Sequence, residues 1–241
     1  MQARNSNVRL FVDHPLGPGQ TVPVDRDQSN YLFAVMRLKE GAEVTVFNGR
    51  DGAWTARVVV GNKRGGVLQA LEQTAPQVSP PDLWLLFAPI KKARTDFIVE
   101  KAVELGAARI CPVQTAFTSA ERIRRDRLQA HAVEAAEQCG ATFVPEVAAL
   151  EKLSRVLDGW DPARKLIFCD EGLAGHSSVL PDGLVPPAAI LIGPEGGFSD
   201  EERIRIAAVA TPISLGPRIL RADTAAVSAI TLWQAAYGDW T

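Results

Sequence analysis

Five apolar runs, "LWLLFAPI", "ARICPV", "KLIFCD", "AAILIGP" and "TPISLGP", follow one another after residue 82, with helix-patterned segments among them. Near-continuous apolar runs belong to strands covered on both faces, and strands that alternate with helices pair in parallel. No other feature of the 241-residue chain narrows its fold so far: this part is an α/β domain, a mostly parallel sheet sheathed in helices. The helix at "TDFIVEKAVELG" sets Ile98, Ala102 and Leu105 on one face and stops at Gly106, and another helix runs from about Arg122 to Cys139.

Upstream the rhythm changes. "NVRLFV" and "TVPV" are strand-like, and "EVTVFNGRDGAWTARVVV" alternates Val44 and Val46, then Trp54, Ala56 and Val58, around a turn rich in Gly and Asn. One helix interrupts them, in "DQSNYLFAVMRLKEG", with Tyr31, Leu32, Val35 and Leu38 on one face and Gly41 as its stop. A small β-barrel over residues 1–74 is the natural reading. "TAPQVSPPD", residues 74–82, carries three prolines and no periodicity, and marks a linker to a second domain at 82–241.

Composition excludes several function classes. The formal charge of −2 gives no global signal for a polyanionic partner, so RNA would have to meet local basic patches. Cys111, Cys139 and Cys169 are odd in number and widely spaced, which fits a reducing cytoplasm and neither a disulfide framework nor a zinc site. His14, His131 and His176 have no metal-ligand or triad spacing, so no metal is expected, and "GHSSV" lacks the second glycine of a hydrolase elbow. No segment approaches the roughly 18 continuous apolar residues of a membrane span, and the expected location is the cytosol.

Two loops carry the chemistry. After "AAILIG", the glycines Gly193, Gly196 and Gly197 permit a sharp bend or close approach of backbone to a ligand, with Glu195 among them. Ser199 and Glu202 then form an S-x-x-E capping box for the helix "DEERIRIAAVA". The loop matches neither phosphate-binding glycine pattern, and its carboxylate disfavours a triphosphate or dinucleotide but not a neutral or cationic adenosine-type ligand; a tight αβ turn with no ligand is the alternative reading. The other loop, in "ISLGPRILRADTAAVSAITLWQ", leaves a strand at Gly216 and Pro217, passes Arg218 and Arg221, and enters an apolar helix capped by Asp223 or Thr224. That helix, with Val227, Ile230, Leu232 and Trp233, must be buried in its own core or against a partner subunit. The two strands are expected to be neighbours, so that both loops line one crevice at their carboxyl ends.

Taken together, "LIGPEGGFSDEE", "LGPRILRADTA", "KKARTDFIVEKAVELGA" and "EAAEQCGATFVPEV" resemble the bacterial small-subunit (16S) ribosomal RNA uridine N-3 methyltransferases of the SPOUT superfamily. The resemblance covers essentially the whole chain. It implies a PUA-like, RNA-binding barrel and a SPOUT domain with a C-terminal trefoil knot, a topology that general rules would reject. It also implies a homodimer acting on 16S rRNA or the small ribosomal subunit, with S-adenosyl-L-methionine as methyl donor. Ile192, Gly193, Gly196 and Gly197 of the first loop, and Leu215, Gly216, Ile219 and Leu220 of the second, would wrap that cofactor. Two positions depart from the family pattern: Asp223 replaces the usual Glu, and Ala141 stands where many members have Arg.

Methylating N-3 of uridine requires removal of an imide proton from a base taken out of its pair. Arg221 is expected to stabilise the developing anion, and Glu195 or Asp223 or solvent to take the proton. The expected RNA contacts are Arg4, Arg9, Arg37, Lys91, Lys92, Arg94, Arg124 and Arg218, with Lys39, Arg122, Arg125 and Arg127 in the same clusters. The rival readings are methylation of another RNA and a non-catalytic RNA-binding assembly factor.

Overall fold

The computed structural model describes residues 8–118, 122–176 and 180–240. They fall into two compact units: the chain up to Ser79 together with Ala136–Val144, and Pro80–Ala135 together with the chain from Pro145 onward.

The first unit holds β1 (Arg9–Phe11), β2 (Thr21–Val24), a one-turn helix α1 (Arg26–Ser29), β3 (Glu43–Phe47), β4 (Ala53–Asn62) and β5 (Gly65–Ala75). The strand order is β1-β3-β4-β5-β2, with β1 parallel to β3 and the other pairs antiparallel. Val22, Val44, Val46, Ala56, Val58 and Leu68 alternate inward from these strands and close on Leu32 in a single core. The expected helix takes a different form. Asp25 caps α1 through a capping box with Gln28, and the chain then widens into a π-helical stretch, Asn30–Val35, closed by Met36 N–H donating to Tyr31 O at 2.9 Å. The wider turn keeps Leu32 buried but rotates Val35 off the apolar face, leaving it 60% exposed. Residues 136–144, read from sequence as part of the second domain, group with this unit. Phe11 N–H donates to Glu137 Oε1 at 2.8 Å, and Val78 N–H to Thr142 Oγ1 at 3.0 Å.

The second unit contains β6 (Leu83–Phe87), α2 (Lys92–Glu104), β7 (Arg109–Gln114), α3 (Arg125–Cys139), whose last turn belongs to the first unit, β8 (Glu146–Val147), β9 (Glu151–Lys152), α4 (Leu153–Asp158), β10 (Lys165–Cys169), β11 (Ala188–Ile192), α5 (Asp200–Ala207), β12 (Ala210–Ile213) and α6 (Ala222–Tyr237). The sheet runs β12-β10-β11-β6-β7-β8, with β9 also alongside β7, and each recorded pairing is parallel. All of β11 is buried, which is why "AAILI" has no polar alternation. Each such Leu or Ile contributes about 1.5–3 kcal/mol by leaving water. Trp84, near the start of the interior strand β6, has the guanidinium groups of Arg164 and Arg109 at 3.8 and 4.8 Å from its ring centre.

Helix α6 buries Ala225, Ala226, Ala229, Ile230 and Trp233, and the Trp233 indole donates to Leu184 O at 2.7 Å. Leu232 remains 38% exposed. Gln234 is fully buried, and its amide donates to Leu105 O at 2.7 Å and Gly106 O at 3.2 Å, satisfying carbonyls at the C-terminal end of α2. Replacing Gln234 by Leu strands these acceptors, so urea unfolding should show a loss of about 1–3 kcal/mol. An unchanged midpoint would mean that the Gln234 amide does not fasten α6 to α2.

Candidate active site

Loops leaving the C-terminal ends of β10, β11 and β12 wall one cavity of about 400 Å³. Cys169, Asp170, Glu171 and Ala174 form one side, Ile192 to Gly197 another, and Leu215, Gly216 and Arg218 to Ala222 the third. Thus Ile192, Gly193, Gly196, Gly197, Leu215, Gly216, Ile219 and Leu220, named from sequence, come together with Glu195, Arg218 and Arg221 in this wall. The expectation that β11 and β12 are neighbours is corrected: β10 lies between them and pairs with both. The loop after β10, which sequence reasoning passed over, therefore sits in the middle of the site. Its signal was present in "KLIFCDEG", another apolar strand ending in acid and glycine.

Backbone hydrogen bonds set these loops. Asp170 N–H donates to Ile213 O at 3.1 Å, Gly175 N–H to Gly216 O at 3.1 Å, and Ala88 N–H, just beyond β6, to Ile192 O at 3.0 Å. Gly197 has φ +69°, and a β-carbon there would come within 2.7 Å of Glu171 Oε1. Only glycine meets both demands. At Gly193 a β-carbon would lie 2.5 Å from the Phe198 ring, which is itself edge-on to Phe168 at 5.3 Å between centres.

Helix α5 organises the polar side. Ser199 and Glu202 form the expected capping box, and Glu202 Oε1 also accepts from Ala116 N–H at 2.8 Å, tying the loop after β7 to the glycine loop. Arg203 donates to Asp170 Oδ1 at 2.8 Å and to Glu171. The bond to Asp170 is the main reason that the Arg203 guanidinium is held above its usual pKa; its charge offsets the two carboxylates. At the start of α6 the cap is Arg221 and not Asp223 or Thr224. The Arg221 side chain makes no capping hydrogen bond, and the Asp223 carboxylate instead accepts from Thr224 N–H at 3.0 Å and pairs with Arg94 at 3.5 Å. A smaller cavity of about 320 Å³ is bounded by Lys91, Arg94, Glu195 and Arg221, so the last two residues face both spaces.

Residues 77–234 match the family model for an RNA methyltransferase domain, and residues 24–70 match that for an RNA methyltransferase PUA domain. Ribosomal RNA small subunit methyltransferase E from Synechocystis sp. is 32% identical to this chain, over 87% of it and 71% of the relative. The protein of the same name from Rickettsia conorii is 29% identical over 95% of this chain and 89% of its own. The chain belongs to the ribosomal RNA small subunit methyltransferase E family. Within this family, the crystal structure of the Neisseria gonorrhoeae protein bound to S-adenosyl methionine aligns with a TM-score of 0.86 at 28% identity, covering 97% of this chain and 99% of that one.

Several basic residues that sequence suggested for RNA contact are already engaged in this methyltransferase. Arg9 donates to Ala141 O at 2.8 Å and lies over the Phe47 ring at 5.0 Å, with burial pulling its guanidinium below the usual value. Arg124 pairs with Asp126, Arg125 with Glu146 and Arg127 with Asp96. Arg37 is exposed, with a left-handed backbone of φ 55°. Lys92 is exposed outside both cavities, and Arg218 lines the larger one. Arg4 lies outside the described residues.

Cys169 lines the larger cavity, and burial pushes its thiol far up; burial also pushes Cys111 up to about 11. Raised thiols hold little thiolate at pH 8, whereas Cys139 is exposed. Iodoacetamide at pH 8, read by peptide mass spectrometry, should label Cys139 first, and Cys111 labelling should climb with pH towards about 11. Equal labelling of Cys169 and Cys139 would contradict the enclosed cavity wall.

Proposed function

We propose that this protein transfers the methyl group of S-adenosylmethionine to N-3 of one uridine in the RNA of the small ribosomal subunit. The larger cavity carries the reading: glycine backbone where a ligand must approach closely, apolar Ile192, Leu215, Ile219 and Leu220 for an adenine ring, and carboxylates that a cationic ligand tolerates. Membership of the family and the cofactor in the Neisseria gonorrhoeae relative support it.

Gly193, Gly196, Gly197 and Gly216 would hold S-adenosylmethionine through exposed backbone, and the bound cofactor supplies an electrophilic methyl group. N-3 lies on the pairing edge of uracil, so the base must leave its helix before it can react. As the imide proton departs, negative charge spreads to the flanking oxygens. Arg221 stabilises that charge as a fixed cation. Glu195 accepts the proton. Asp223 is committed to Arg94 and to the Thr224 N–H, and Asp170 and Glu171 to Arg203, whereas Glu195 forms no ion pair or hydrogen bond among the described residues. Arg37, Arg122 and Arg218 add basic contacts to the RNA.

The reading includes a cytoplasmic homodimer. Ile219 supports a partner subunit: it lines the cavity yet is 74% exposed, as a residue awaiting cover from a second chain would be.

Small subunits lacking the modification, incubated with labelled S-adenosylmethionine, should yield N-3-methyluridine by nucleoside mass spectrometry. Label in another nucleoside, or in transfer RNA alone, would overturn the assigned target. Arg221→Ala should lower kcat by about 10²-fold while cofactor affinity stays within threefold; normal turnover would remove Arg221 from the mechanism. Gly197→Ala puts a β-carbon on a left-handed backbone of φ +69°, and calorimetry should show cofactor binding weakened by at least about tenfold.

A further inference from the structure

We infer that the smaller cavity, bounded by Lys91, Arg94, Glu195 and Arg221, receives the target nucleotide, and that Lys91 holds a phosphate of its backbone. This rests on the methyl-transfer reading of the adjoining cavity. Three cations and one carboxylate enclose about 320 Å³, and Glu195 and Arg221 belong to both walls. A group bound here therefore reaches the residues that face the methyl donor.

The local structure favours an anion beside Lys91. Lys91 and Arg221 are the N-cap residues of α2 and α6, and neither helix has a side-chain cap. Ser, Thr, Asp or Asn usually fills that position and accepts from the first-turn N–H groups. With cations in their place, and with Arg94 N–H turned back to Lys91 O at 2.9 Å, the Lys92 and Ala93 N–H groups and the positive end of α2 are left to an acceptor from outside the chain. At α6 part of that demand is met by Asp223, whose charge is shared with Arg94. At α2 no acid stands in the first turn, and Lys91 has no ion pair among the described residues. Its backbone is fixed: the buried Thr95 hydroxyl accepts from Ile90 N–H at 3.0 Å and donates to Ile90 O at 3.1 Å. Lys91 and α2 thus receive the phosphodiester, while Arg221 and Glu195 face the base.

Lys92 is the control, an adjacent exposed lysine that does not line the cavity. Filter binding to unmodified small subunits in the presence of S-adenosylhomocysteine reads RNA affinity apart from methyl transfer. Lys91→Ala should raise Kd and KM for subunits about tenfold and reduce the slope of log K against log salt by roughly 0.7–0.9, the share of one phosphate. Cofactor affinity should stay within twofold, Lys91→Arg should restore most of the loss, and Lys92→Ala should change Kd less than twofold. Equal losses for Lys91→Ala and Lys92→Ala, or none for Lys91→Ala, would overturn the subsite. Lys91-dependent binding with methyl found elsewhere than uridine N-3 would instead sink the proposed reaction and keep the subsite.

Discussion

Strand β10 hydrogen-bonds along both edges, to β11 on one side and β12 on the other, and the site follows from that placement. Parallel strands release their connections at the same end, so three strands in contact place three loops in contact. Ile167 pairs with Ile190 and Thr211, and Phe168 with Leu191 and Pro212. All of β11 and all of β10 beyond Lys165 are buried, so water cannot replace a lost backbone bond between them. The loops can therefore be irregular and rich in glycine without losing their positions.

What the sheet brings together, α5 fixes in detail. Ser199, Glu202 and Arg203 occupy its cap and first turn. Glu202 binds the Ser199 N–H on its own helix and the Ala116 N–H on the loop after β7. Arg203 reaches across to Asp170 and Glu171. A carboxylate pair in a cavity wall would repel itself without that cation, and an uncapped α5 would leave the glycine loop untethered. Structure and chemistry meet here: the residues that hold the loops also set the charge a ligand meets.

Charge elsewhere is arranged to opposite effect. Most of the arginines of "RIRRDR" are neutralised by ion pairs, and Arg9 is turned into an internal hydrogen-bond donor. Exposed pairs of this kind contribute little to stability, but they remove the cation from solvent-facing chemistry. Lys91, Arg218 and Arg221, which have no such partner among the described residues, line the two cavities. A chain with a formal charge of −2 can thus still present positive potential where it is needed.

Local sequence pattern was enough for the strands β6, β7, β10, β11 and β12 and for the Ser199 and Glu202 cap, whereas the residues of the cavity wall were named through the family resemblance. Apolar run length reports burial, and glycine and proline report where the backbone must turn. The π-helical widening at Asn30–Val35, the Arg221 cap of α6 and the internal use of Arg9 were not legible. Each is decided by partners distant in the chain or by packing against a core. Strand order was decided there too. Nothing local in "KLIFCD" says that it will pair with both later strands, and that pairing puts Asp170 and Glu171 opposite Gly197 and Arg203. Side-chain pattern along one strand records its exposure, whereas which strand lies beside it depends on the crossover path and on helices that must cover both faces.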